Sequence, residues 1–177
     1  MANKKNILII NGSASKNSAN QKLIANLADL TQEQFDFTIF NDLKSLPHFD
    51  PDLSGGNPPD LISEFRSAVE NAHGIILCTP EYVFSIPSGL KNAIEWCVST
   101  IVFTDKPTGI ITASADGQKA HEELQLIMKT VGAKFTNETT LLIKGIKGQI
   151  SDDGAIIDQK TKDRLIEFAR AFQELTR

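Results

Sequence analysis

The sequence predicts a doubly wound α/β domain, a five-stranded parallel sheet with helices on both faces. Three observations predict it. Short apolar runs alternate with amphipathic stretches along all 177 residues. Two of the runs, Ile7 to Ile10 and Ile75 to Cys78, are apolar at every position, which is what a strand covered on both faces requires. Parallel neighbours need crossover connections, and the amphipathic stretches supply them as helices. At the usual ~150 residues per domain, a chain of 177 is expected to form one domain over residues 1–177.

The elements follow in order. Ile7-Leu8-Ile9-Ile10 is the first strand, ended by Asn11-Gly12, and Leu23, Leu27 and Leu30 form the stripe of the first helix. Phe35, Phe37 and Ile39 alternate with Asp36 and Thr38, so the second strand has one face less deeply covered and belongs near an edge. Asn41 to Pro59 is the longest turn-rich stretch. Leu61, Phe65 and Val69 give a second helical stripe, Ile75-Ile76-Leu77-Cys78 a third strand, and Leu90, Ile94 and Val98 a third stripe. Gly109-Ile110-Ile111-Thr112 and Thr140-Leu141-Leu142-Ile143 are the remaining strands. Leu124, Ile127, Met128 and Val131 mark the helix between them, and Leu165, Phe168, Phe172 and Leu175 the last one.

Composition removes several functions. Lysine and arginine number 18 against 22 acidic residues, a net charge of -4 and a pI near 5.4. A protein that binds nucleic acid by neutralising phosphates shows the opposite balance. The start, Met1 to Lys5, is basic, but the apolar run behind it has only four residues, far short of a signal-peptide core. The expectation is a cytoplasmic protein with no membrane segment. Cys78 and Cys97 lie in different segments with no zinc-like or CxxC spacing, and read as buried reduced thiols.

In an open parallel sheet, ligands sit beyond the carboxyl ends of the strands where strand order reverses. The loops to search follow Ile10, Cys78 and Thr112. The first, Asn11 to Asn20, is a strand, a hydroxyl-rich turn and a helix start. Unpaired amides and the positive end of the helix dipole favour an anion there. Ser13, Ser15 and Ser18 add neutral donors, and Lys16 one positive charge. A Walker A loop is excluded, because Asn17 and Ser18 stand where its glycine and lysine belong, and a GxGxxG loop fails at Ala14. No cysteine nucleophile of a small tyrosine phosphatase and no aspartate of a response regulator is present. The plainer alternative is that Ser18 is an N-cap and the loop an ordinary polar connection. In the second loop, Thr79 to Trp96, Pro80 and Pro87 stiffen an aromatic-bearing segment held over the strand ends, and Pro87 suits the first turn of a helix.

On these residues the sequence resembles the NADPH-dependent FMN reductase family. Thr79 to Trp96 is similar to its motif TPEYNGSIPGxLKNAIDW, and Gly12 to Asn20 to its motif GSxRxxSxN. Pro47-His48-Phe49-Asp50 and Asp153-Gly154 also match. The resemblance implies a flavodoxin-like sheet of order 2-1-3-4-5 and an enzyme that passes electrons from NADPH or NADH, through FMN, to quinones or similar small acceptors. It further implies a homodimer or homotetramer. Ser13, Ser18 and Asn20 would hold the FMN phosphate, with Ser15, Lys16 and Ala19 in the same loop. Pro80, Glu81 and Tyr82 would lie along the isoalloxazine edge beside Val83 and Phe84, and Ser114, Asp116 and Gly117 would approach from the other side. With the chemistry supplied by the cofactor, no catalytic side chain is named.

The departures carry expectations of their own. Ser15 replaces the family's arginine and removes a charge-assisted donor. Val83-Phe84 replaces Asn-Gly, so Phe84 either stacks on the ring or stands in the way of the nicotinamide. Asp116 is expected to lower the flavin potential through its charge. Glu81 contacts the flavin or reaches Lys91 or a partner subunit. Trp96 and the three histidines are expected to be structural, with His121 facing inward or into a subunit contact. Two other classes stay open: a non-enzymatic flavin-binding electron carrier, and a regulatory module on the same fold.

Overall fold

A computed structural model describes residues 4–177, so Met1, Ala2 and Asn3 of the basic start lie outside it. The strands are β1 (Lys5–Asn11), β2 (Phe35–Phe40), β3 (Gly74–Thr79), β4 (Thr108–Ser114) and β5 (Thr140–Lys144). The helices are α1 (Ala19–Leu30), the single turn α2 (Pro51–Ser54), α3 (Asp60–Asn71), α4 (Ser88–Glu95), α5 (Gln118–Thr130) and α6 (Gln159–Leu175). Every strand pair is parallel, and the order is β2-β1-β3-β4-β5. Strand order therefore reverses between β1 and β3, where the first and second loops leave the sheet side by side.

Period-two alternation distributes the strand side chains between two apolar layers. Ile7 and Ile9 of β1, with Ile76 and Cys78 of β3, pack against Leu23, Ile24 and Leu27 of α1 and Phe168 and Phe172 of α6. Leu8, Ile10, Ile75 and Leu77 face the other way, onto Phe65 and Val69 of α3, Leu90 and Ile94 of α4, and Leu124 and Met128 of α5. Each fully buried side chain of this size contributes roughly 1.5–3 kcal/mol. β2 is an edge strand, as its alternation predicts.

Some helix phases differ from expectation. On α3 the buried stripe is Ile62, Phe65 and Val69, whereas Leu61 faces solvent. Two adjacent aliphatic residues at a helix start fit either phase, and Ile62 is the one in register with Phe65 and Val69. Val98 lies beyond the end of α4 and Leu30 at the last position of α1, and both are exposed. The turn-rich stretch holds α2 and a 3-10 turn over Leu43–Ser45. Cys78 and Cys97 are buried and unpaired, and burial pushes each thiol up to about 12. Among the described residues no helix is long and apolar enough to cross a membrane.

Candidate functional site

The first loop is folded by its own polar side chains. The Asn11 carboxamide accepts the Ser13 amide at 3.1 Å and donates to Asn41 Oδ1 at 3.0 Å, tying the end of β1 to the end of β2. The Gly12 amide donates to the Cys78 carbonyl at 2.8 Å, so the loop lies flush on β3. Ser13 Oγ accepts the Ser15 amide at 3.3 Å, and Ser18 Oγ, the N-cap of α1, accepts the Gln21 amide at 3.1 Å. With those oxygens engaged as acceptors, both hydroxyl protons remain to be donated. Asn17 turns the chain into α1 with φ 57°. No acidic residue stands in the first turn of α1, and Lys16 beside it is exposed. Hydroxyl donors, one ammonium and a helix N-terminus are a donor set suited to a phosphate monoester.

A cleft of about 690 Å³ opens beside this loop, within the ~300–1,000 Å³ range of small-molecule sites. Ser13, Ser15 and Lys16 line one wall, and Tyr82 with the start of α4 another. Ser18 and Ala19 sit behind the loop as the start of α1. The Asn20 side chain is buried beneath it, donating to the Ala113 carbonyl at 3.1 Å and receiving the Cys78 thiol at 3.5 Å. It links the ends of β3 and β4 and does not face the cleft. The third wall, Asn41, Asp42, Lys44 and His48, was missed by sequence reasoning, as were Asn11 and Asn92. Its signal was the Pro47-His48-Phe49-Asp50 match. Asn92 Nδ2 and Trp96 Nε1 donate to the Pro47 carbonyl at 2.9 and 2.8 Å, and Asn92 Oδ1 accepts the Phe49 amide at 2.7 Å. Trp96 is fully buried, edge-to-face with Phe49, and is the structural residue expected.

Beyond β3 the chain makes a two-residue hairpin. Tyr82 and Ser85 exchange amide–carbonyl bonds of 2.9 and 3.1 Å, with Val83 at φ 51° and Phe84 at φ 59° between them. Two left-handed residues in succession define a turn that Asn-Gly adopts freely. A non-glycine residue held there costs about 1–3 kcal/mol, and a β-branched valine is a true outlier. Glu123 of α5 holds the hairpin from outside, its Oε2 accepting Ser85 Oγ at 2.7 Å and the Ile86 amide at 3.0 Å. Glu81 does the reverse. Its carboxylate accepts the Gly117 amide at 3.3 Å and the Ala120 amide at 3.0 Å, capping the N-terminus of α5, so within the chain its partners are these amides and not Lys91. The second and third loops are thus cross-braced by two carboxylates. Pro80, Glu81, Val83, Phe84, Ser114, Asp116 and Gly117 lie outside the cleft wall itself. Asp116 pairs with Lys144 at 2.6 Å, so it acts on its surroundings as half of an exposed ion pair and not as a bare charge.

His121, one turn into α5, faces inward with Nδ1 2.9 Å from Thr112 Oγ1. Burial, then Arg164, lowers its pKa below the ordinary 6.5, with Glu122 opposing. The fold therefore favours the neutral ring, while the unfolded chain takes up a proton near 6.5. This contribution to stability is complete above that value and is lost as pH falls below it towards the folded pKa. Melting curves between about pH 7 and pH 5 should show a fall in stability that is shallower in His121→Gln. An equal slope in the two proteins would remove His121 from the account. His73 receives the Asn6 amide at 3.1 Å and is structural; His48 lies in the cleft wall.

Comparison with known proteins agrees with this fold. The family model for NADPH-dependent FMN reductase matches residues 5–147. An NADPH:quinone oxidoreductase of Arabidopsis thaliana is 28% identical over 181 aligned residues, which cover 96% of this chain and 91% of the relative. A 2-hydroxy-1,4-benzoquinone reductase of Burkholderia is 29% identical, over 92% of this chain and 91% of the relative. Among solved structures, the flavoenzyme NAD(P)H:(acceptor) oxidoreductase FerB of Paracoccus denitrificans superposes with a TM-score of 0.79 at 25% identity, covering 97% of each chain.

Proposed function

The chain belongs to the NADPH-dependent FMN reductase family, and on that premise we propose that it carries electrons from NADPH or NADH to quinones and similar small acceptors. The observation that carries this reading is the hydroxyl-lined loop at the start of α1, opening on a cleft at the β1/β3 switch point. Bound FMN would supply the two-electron chemistry between nicotinamide and acceptor. The chain's own residues bind, orient and shield. Ser13 and Ser18 donate hydroxyl protons to the phosphate, Ser15 and Lys16 complete its shell, and the α1 dipole favours its charge. Asn20 fixes the floor of the loop from beneath. Tyr82 borders the cleft where a ring would lie, and the Glu81 and Glu123 braces hold the second and third loops at a set spacing around it.

Quinones enter the proposal through the names of the Arabidopsis and Burkholderia relatives. The same reading gives one FMN-binding domain over residues 1–177 and a homodimer or homotetramer. It places the protein in the cytoplasm, which two buried, unpaired thiols suit. Protein reconstituted with FMN should lose its yellow absorbance when NADPH is added without oxygen and regain it on addition of 1,4-benzoquinone. Bleaching by dithionite but by neither nicotinamide would contradict the reading and favour a carrier. Light scattering of the same sample gives the number of subunits.

A further inference from the structure

We propose that Phe84 is a specificity residue, an aromatic platform on which a flat aromatic acceptor stacks as it enters the cleft. The inference rests on the oxidoreductase reading and adds to it the residue that selects the acceptor. Three observations support it. Val83 and Phe84 both adopt the left-handed conformation, which neither side chain favours. The two residues are 95% and 75% exposed, so no burial within the chain offsets that strain. The hairpin beneath them is nevertheless fixed, by the Tyr82–Ser85 pair and by the Glu123 carboxylate on Ser85 and Ile86.

An Asn-Gly turn would close the same hairpin without strain and without exposing apolar surface. Neither local conformation nor packing accounts for Val-Phe at this place, so the account must lie in what the tip meets. Tyr82, the first residue of the hairpin, lines the cleft, and the tip stands next to it in the chain. A ring presented from a fixed base loses little freedom when another ring stacks on it, and such pairs favour planar partners. Fused-ring quinones have the required face. A compact inorganic oxidant such as ferricyanide has none.

The test uses the FMN-loaded protein as wild type, Phe84→Leu and Phe84→Tyr. Two quantities are read: the dissociation constant of menadione for the oxidised protein by calorimetry, and the ratio of kcat/KM for menadione to that for ferricyanide. Phe84→Leu should raise the dissociation constant and lower the ratio, each about fivefold. Phe84→Tyr should restore both to within about twofold of wild type. A leucine variant that retains FMN with both quantities unchanged would overturn the platform. So would one whose FMN affinity falls while the ratio holds, which would make Phe84 a flavin contact, or one whose subunit number falls, which would make the tip a subunit contact. A wild-type protein that takes up no FMN would overturn the proposed function itself, and this inference with it.

Discussion

Gly12→Ala is expected to lower the melting temperature by roughly 2–12 °C, from an overpacking penalty of about 1–3 kcal/mol, and to weaken FMN binding by roughly tenfold or more. A Cβ on Gly12 would lie 2.4 Å from Thr79 Oγ1, 2.7 Å from Thr79 Cβ and 3.1 Å from Leu90 Cδ2. Thr79 has no room to retreat, being fully buried at the end of β3 with its hydroxyl donating to the Pro80 carbonyl at 3.0 Å. The relief must come from the first loop, which would lift off β3 and break the 2.8 Å bond from the Gly12 amide to Cys78. Ser13 would move with it. Stability and ligand binding should therefore fall together, whereas at Gly55 a Cβ meets nothing within 4 Å. Gly55→Ala should stay within about 0.5 kcal/mol of wild type. Differential scanning fluorimetry and an FMN titration on both variants check the pair, and a Gly12→Ala protein that binds FMN as wild type does would show that the close approach is not needed.

Much of this fold is legible in the chain because burial on both faces of a parallel sheet writes itself as unbroken apolar runs. Ile7 to Ile10 and Ile75 to Cys78 are such runs, and the strand order is the one the family resemblance implies. The first loop was legible for a related reason, since a helix start with hydroxyls and no acid is a local arrangement. What could not be read was whatever depends on distant partners. Glu81 caps a helix whose first residue lies 37 positions away by numbering, from Glu81 to Gln118, and no local pattern announces that. The wall formed by Asn41, Lys44 and His48 comes from short-range turns without periodicity, placed by the Pro47 carbonyl that Asn92 and Trp96 hold. Asn20 has the right spacing for a phosphate contact, yet its side chain turns under the loop because the Ala113 carbonyl waits there for a donor. The Val83-Phe84 turn is hidden for the opposite reason: neither residue carries the sequence signature of the conformation it adopts.

The second large effect concerns the phosphate. Ser13 and Ser18 have free hydroxyl protons, Lys16 carries a charge, and the α1 N-terminus adds its dipole. In the proposed reading all of these would act on the monoester and none on the ring. Hydrogen bonds to a charged group contribute about 1.5–3 kcal/mol each, so two or more of them separate FMN from riboflavin by roughly 100-fold or more in affinity. The absent arginine at Ser15 reduces the total without removing the difference. The most direct measurement is the quenching of flavin fluorescence on titration of the apoprotein with FMN and, separately, with riboflavin. The account predicts saturation at one FMN per chain and riboflavin binding weaker by roughly 100-fold or more. Equal affinities for the two flavins, or no quenching by FMN at micromolar concentration, would contradict it.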